Sequence, residues 1–146
     1  MRWKDIRDEN CPVARGLSVI GDRWTVLVLR ECFQGVRRFD QFQQNLQVTR
    51  PVLVDRLRKL EAAGVLARVK YQDRPERYEY RLTDAGRDLY PVLVSLIKWA
   101  NAHVPSDEPS SLRLLSRKTG EPIAPLLIDE NTGEAITPHG VEAAKS

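Results

Sequence analysis

Cysteine is scarce in this chain: Cys11 and Cys32 are the only two among 146 residues. Two thiols cannot build a disulfide scaffold, so a reducing, cytoplasmic setting is expected. Histidine is equally rare, and neither His103 nor His139 sits among cysteines at metal-ligand spacing. No glycine-rich phosphate loop and no Ser/His/Asp arrangement occurs. The chain therefore carries no assigned catalytic residue, metal site or cofactor, and an enzyme is not expected. A redox enzyme built on Cys11 is the one enzymatic alternative. It would need a second thiol nearby, and Cys32 is 21 residues on, in another helix. Long apolar runs are missing as well: none approaches the roughly 18 residues of a membrane span. The start, Met1-Arg2-Trp3-Lys4-Asp5, lacks the apolar segment of a secretory signal, and no membrane partner is expected.

What is present is uneven charge over a length suited to one core with an appendage. Residues 1–104 hold 19 Lys and Arg against 13 Asp and Glu, whereas residues 105–146 hold 4 against 7. Within 35–81 the balance is 11 against 6. A basic body with an acidic tail points to a polyanionic partner.

The stretch from Thr49 to Gly64 organises the rest. Thr49 is placed to cap a helix that Gly64 ends, and Pro51 falls in the first turn, where a missing N–H costs nothing. At 100° per residue Leu53, Leu57 and Leu60 share a stripe, with Pro51, Asp55 and Arg58 facing the other way. Before it come a polar arm over 1–10 and a short helix over Cys11–Ile20 with Pro12 at its start. Asp22 is then a candidate cap for a core helix over Arg23–Gln34, and Gly35 ends it. Phe39, Phe42 and Leu46 keep helical spacing in a third helix, separated from the organising one by only Gln47-Val48. Two short helices joined so tightly make a helix-turn-helix.

Two alternating segments follow, Val65–Tyr71 and Tyr78–Thr83, with a polar hairpin tip over 72–77 between them. A helix-turn-helix followed by a basic hairpin is a winged helix. Thr83-Asp84-Ala85-Gly86 opens a long helix to about Val104, with Pro91 inside it as a bend. Its apolar residues exceed the needs of a small core, which implies a subunit interface. Pro105–Ser111 reads as a linker. Beyond it, Thr119-Gly120-Glu121 recurs as Thr132-Gly133-Glu134, flanking Leu126-Leu127-Ile128, and implies a small β appendage with a frayed end after about Val141. The expected fold is thus α+β, mainly α. A winged helix-turn-helix and dimerisation domain occupies 1–104 (helix-turn-helix about 36–64, wing about 65–82, long helix about 83–104), and a linker with a β-hairpin-like appendage occupies 105–146.

Cys11-Pro12-Val13, Ile20-Gly21-Asp22-Arg23-Trp24, Gly35-Val36-Arg37-Arg38-Phe39, Leu53–Gly64 and Tyr78–Gly86 together resemble the HxlR-type winged-helix transcriptional regulators of the MarR-like superfamily. The resemblance spans about residues 11 to 100. It departs at Asp22-Arg23, where the family usually shows Gly-Lys, and at the start of the recognition helix and in the wing. It implies a homodimer on operator DNA, with the first and last long helices in the subunit contact. On that basis Val13, Leu17, Leu89, Leu93, Leu96, Ile97 and Trp99 are the expected interface. It also implies a redox, electrophile or small-molecule cue in several members, some through the cysteine at the position of Cys11.

Helix-turn-helix docking puts the first turn of the recognition helix in the major groove, with Thr49 and Arg50 nearest the bases. Arg50 is suited to bidentate guanine readout or to a phosphate. Pro51 and Asp55 share the outer face, Asp55 as an acceptor from cytosine or a guard against the wrong register. Arg58 and Lys59 suit phosphate contacts, while Arg56 lies toward the buried edge and suits a carboxylate. Arg37 and Arg38 are candidate phosphate clamps, and Arg74 and Arg77 candidate wing contacts. Two such helices would meet half-sites about 10 bp apart on a pseudo-palindrome. A thiol at a helix start near Arg15 has its thiolate favoured, which makes Cys11 a candidate sensor; an inert cysteine is the alternative. A winged helix used only for protein–protein contact is the competing function.

Overall fold

The computed structural model describes residues 10–144, so most of the expected N-terminal arm and the last two residues of the expected frayed end lie outside the described residues. The chain divides into two compact units, one ending at Leu93 and the other beginning at Val94. The division falls inside the last helix, whereas the sequence placed it after Val104.

The first unit runs α1 (Pro12–Ile20), α2 (Thr25–Phe33), α3 (Phe39–Leu46), α4 (Arg50–Ala62), β1 (Leu66–Asp73), β2 (Glu76–Leu82), α5 (Asp84–Arg87) and the first turn of α6 (Tyr90–His103). Pro12 opens α1 with Cys11 as its extended N-cap residue. α2 starts two residues later than expected, with Trp24 and not Asp22 at its N-cap position, and Asp22 bonds the backbone at its start. Its carboxylate accepts the N–H groups of Trp24 at 2.8 Å and Thr25 at 3.0 Å, which holds Arg23 and Trp24 in a turn. Gly35, at φ 89°, lets the chain reverse after α2. Gln47 adopts the left-handed conformation in the turn between α3 and α4.

Thr49 occupies the N-cap position of α4, yet its side chain makes no capping hydrogen bond. Pro51 stands at the second helical position, which removes one of the two N–H groups such a cap would reach. The expected stripe on α4 is the heart of the core. Leu53, Leu57 and Leu60 are buried against Val28 and Leu29 of α2, Phe42 and Leu46 of α3, Val48 of the turn, and Val65 and Leu66. Burying so much leucine and phenylalanine, at about 25 cal/mol per Å², fixes the pitch of α4 against α3.

In the wing, β1 and β2 pair antiparallel from Leu66 with Leu82 to Asp73 with Glu76, with an irregularity between Lys70 and Gln72. The strands run further than expected, so the six-residue tip shrinks to Arg74 and Pro75, joined by a cis peptide. Tyr80 N–H donates to the Arg37 carbonyl at 2.7 Å and ties the wing to the loop before α3.

The expected single helix from 83 is two. α5 ends at Arg87, and Asp88 and Leu89 form a turn before α6. Thr83 is the N-cap of α5: its hydroxyl accepts Gly86 N–H at 3.1 Å and donates to the carbonyls of Gly64 and Val65. Pro91 therefore sits in the first turn of α6, where it bends nothing.

Among the described residues of the second unit the expected β appendage contains no strand. Two tight turns each close on a single bridge, Leu115 with Pro122 and Ile128 with Ala135. They are copies of one another at a spacing of thirteen residues. Ser116 N–H donates to Glu121 as Asp129 N–H does to Glu134, and Ile123 N–H to Leu114 as Ile136 N–H does to Leu127. No helix among the described residues is long and apolar enough to cross a membrane.

Candidate nucleic-acid interface

The turn Gln47–Thr49 delivers the start of α4 to the surface, where Thr49, Arg50 and Pro51 are all exposed. Arg50 is not loose: its guanidinium lies 4.7 Å from the centre of the Phe39 ring, a cation–π contact to the start of α3. The next outward-facing groups divide into engaged and free. Asp55 pairs with Lys59 at 3.0 Å, one turn on, and with Arg56. The hydrogen bond from Lys59, with the charges of Lys59 and Arg56, outweighs partial burial and holds the Asp55 carboxyl below its usual range. Arg58 is exposed and forms no ion pair among the described residues. Arg56 turns inward as expected, and its Nε meets Asp22 Oδ1 at 2.9 Å. That bond locks α4 to the loop before α2.

On the wing, Lys70 is neutralised by Asp73 at 3.7 Å and Glu76 at 3.3 Å. Arg74 and Arg77 are exposed, with no ion pair among the described residues. Beside them the Tyr80–Arg37 bond brings the loop before α3 up to the wing, so Arg37 and Arg38 share its surface. Arg37 is exposed, and the Arg38 guanidinium lies 4.2 Å from the centre of the Tyr71 ring. The fold thus gathers cations from three places far apart in sequence, the outer face of α4, the wing and the loop before α3.

The model of the HxlR-like helix-turn-helix family matches residues 19–108. The chain belongs to that family. Among curated relatives, the HTH-type transcriptional regulators Mb3122 of Mycobacterium bovis and Rv3095 of Mycobacterium tuberculosis are each 46% identical over 135 residues, covering 92% of this chain and 85% of theirs. Among solved structures, PA1607, described as a candidate transcription factor, superposes with a TM-score of 0.85 at 35% identity, over 96% of this chain and 98% of its own. The redox regulator HypR in its oxidized form gives a TM-score of 0.60 at 33% identity, over 66% of this chain and all of its own. This HxlR-like chain is accordingly a helix-turn-helix, DNA-binding transcriptional regulator.

The remaining expected residues of this regulator are scattered over other surfaces. Cys11 is half-buried at the cap of α1. Cys32 lies on α2, where burial, helped by the charge of Glu31, pushes its thiol up to about 12. Of the expected interface residues, Val13 and Leu17 on α1 and Leu96 and Trp99 on α6 are exposed, and Ile97 is half-buried. Two do not fit that role. Leu89 packs against the core cluster and Leu93 is already buried within the chain, so their apolar surface is used inside one subunit.

Arg68 escaped the sequence reading. It is exposed on β1 with its guanidinium 4.3 Å from the centre of the Tyr78 ring. The hairpin register, which sets Arg68 opposite Tyr80 with Tyr78 diagonal to it, was the available signal. Gln41 and Gln44 were missed too. They line a surface cavity of about 410 Å³ with Arg38, Tyr71, Arg77 and Tyr78, residues that helical spacing within α3 does not connect.

Proposed function

We propose that this HxlR-like regulator acts as a cytoplasmic homodimer that sets two copies of α4 into half-sites of a pseudo-palindromic operator. In each copy Thr49, Arg50 and Pro51 meet the major groove, and Arg58 and Lys59 approach the backbone. Arg74 and Arg77 lay the wing along the flanking minor groove, while Arg37 and Arg38 clamp phosphates. The observation that carries this reading is the set of exposed cations without carboxylate partners among the described residues, Arg37, Arg58, Arg74 and Arg77, on three elements around one recognition helix. Asp55 acts here as a brace that holds Lys59 and Arg56, more than as a reader of cytosine. The subunit contact draws on Val13 and Leu17 of α1 and on Leu96, Ile97 and Trp99 of α6.

An anisotropy titration against the promoter region beside its own gene, at several salt concentrations, tests the DNA reading. Arg58→Ala and Arg74→Ala should each weaken binding to all sequences alike and flatten the log–log salt slope by about 0.9, one phosphate's worth. An unchanged affinity and slope for both would leave a winged helix used for protein contact. Responsiveness rests on Cys11: a thiol at the cap of a surface helix is placed to be oxidised or alkylated, and the structural likeness to a redox regulator favours that cue. An oxidant or inducer would change the distance or tilt between the two copies of α4. Loss of operator binding after diamide, retained by Cys11→Ser, is the expected pattern.

A further inference from the structure

The second unit has no core. Among its described residues, 94–144, none is buried, and Trp99, Leu126 and Leu127 are 57%, 64% and 59% exposed. Where a core would be, a cavity of about 1090 Å³ opens between the second half of α6 and the first turn, lined by Val94, Ile97, Leu112, Leu114 and Ile123. Lys98 Nζ, which donates to the Pro125 carbonyl at 2.7 Å, is the one side chain among the described residues that ties α6 to these turns by a hydrogen bond. Two turns with one bridge each cannot hold an open apolar cavity in water. The unit needs a cover.

Charge identifies the cover. The two turns share one backbone pattern but carry opposite tips: Arg117 and Lys118 in the first, Asp129 and Glu130 in the second. Among the described residues neither tip forms an ion pair within the chain. A surface that carries the same shape twice, once basic and once acidic, is complementary to itself across a two-fold axis. Similar proteins differ in how much of this chain they match. PA1607 covers 96% of this chain, whereas HypR and the YdeP regulator of Bacillus subtilis cover 66% and 65%.

We propose that residues 105–144 form a dimer clasp, in which the basic turn of one copy docks on the acidic turn of a second copy and the apolar run Leu126–Ile128 closes the cavity beside α6. This rests on the homodimer reading above and adds a contact to it. The clasp makes pairing selective, because a relative without the tandem turns offers neither tip.

Sedimentation of the full chain at micromolar concentration tests it, with folding followed by circular dichroism. The pair Arg117→Glu/Lys118→Glu leaves two acidic tips, and Asp129→Asn/Glu130→Lys leaves two basic ones while keeping an oxygen for the Asn131 N–H that Asp129 accepts. Each variant alone should dimerise at least tenfold more weakly at low salt. An equimolar mixture should restore a dimer containing one of each. Leu126→Asp/Leu127→Asp should weaken the dimer at any salt. Variants that dimerise like the wild type, or a mixture that rescues nothing, overturn the clasp and leave the homodimer standing. A monomeric wild-type chain overturns both and leaves the cavity to a ligand or an unrelated partner.

Discussion

Replacing Asp22 by alanine should destabilise the first unit by about 2–3 kcal/mol, because one carboxylate serves four donors. It accepts the N–H groups of Trp24 at 2.8 Å and Thr25 at 3.0 Å, the Thr25 hydroxyl, and Arg56 Nε at 2.9 Å. Loss of the two hydrogen bonds to the backbone at the start of α2 accounts for about 1 kcal/mol. Thr25 is 2% exposed, so its stranded hydroxyl adds roughly 1–2 kcal/mol. Arg56 keeps Asp55 and reaches solvent, so the broken ion pair adds only a few tenths, about 0.3 kcal/mol. Asp22→Asn retains an oxygen for the backbone donors and should cost about 1 kcal/mol. Urea unfolding at pH 7 followed by tryptophan fluorescence reads both, with the m-value unchanged.

The same carboxylate fixes a pH signature. Burial by itself would raise the Asp22 pKa, but the hydrogen bonds from Thr25 and Trp24 and the Arg56 charge outweigh it and hold the value below 3.8. A depressed native pKa means that the folded state binds fewer protons than the unfolded one. Its contribution is therefore complete above about pH 4 and drains away as the pH falls below that. Asp22→Ala has no such contribution to lose, so the gap between the two proteins should narrow in acid. An alanine variant within about 0.5 kcal/mol of the wild type at pH 7 would refute the reasoning.

Gly86 allows no side chain: a Cβ there would lie 2.3 Å from the Val65 carbonyl oxygen, which Thr83 N–H already uses. Gly86→Ala should cost about 3 kcal/mol in the same urea assay, and a neutral result would mean that the junction of α5 with the α4–β1 loop yields freely. Thiol titration with a chromogenic disulfide at pH 8 should show one native thiol, Cys11, and release Cys32 only on unfolding, since burial pushes Cys32 up to about 12. Two equivalents reacting in the native protein would show α2 to be far more open than its packing indicates.

The recognition helix was legible because its instructions are local. Leu53, Leu57 and Leu60 repeat at the helical period, Gly35 and Gly64 stand at left-handed positions, and Val65–Tyr71 alternates. Each of those signals compares a residue with neighbours a few positions away, which is the range over which backbone geometry repeats. The second unit was harder. Its repeat was visible in Thr119-Gly120-Glu121 and Thr132-Gly133-Glu134, but not that the turns would close on single bridges instead of strands. Pro91 misled for a related reason. Its effect depends on whether it falls in a first turn, and the break at Asp88 and Leu89 that puts it there has no periodic signature in the sequence.

By itself, then, the sequence determined the helix-turn-helix, the wing and the basic character of that surface. Which cations remain available to a partner was decided only by the tertiary structure. Arg50 rests on Phe39, Arg56 meets Asp22 across 34 positions, and Lys70 is cancelled by Glu76, while Arg58, Arg74 and Arg77 stay open to solvent. Hydrophobic period tells a side chain which way to face. Whether a charge is free depends on what folding brings within about 4 Å of it, and for pairs distant in the chain no periodicity carries that distance.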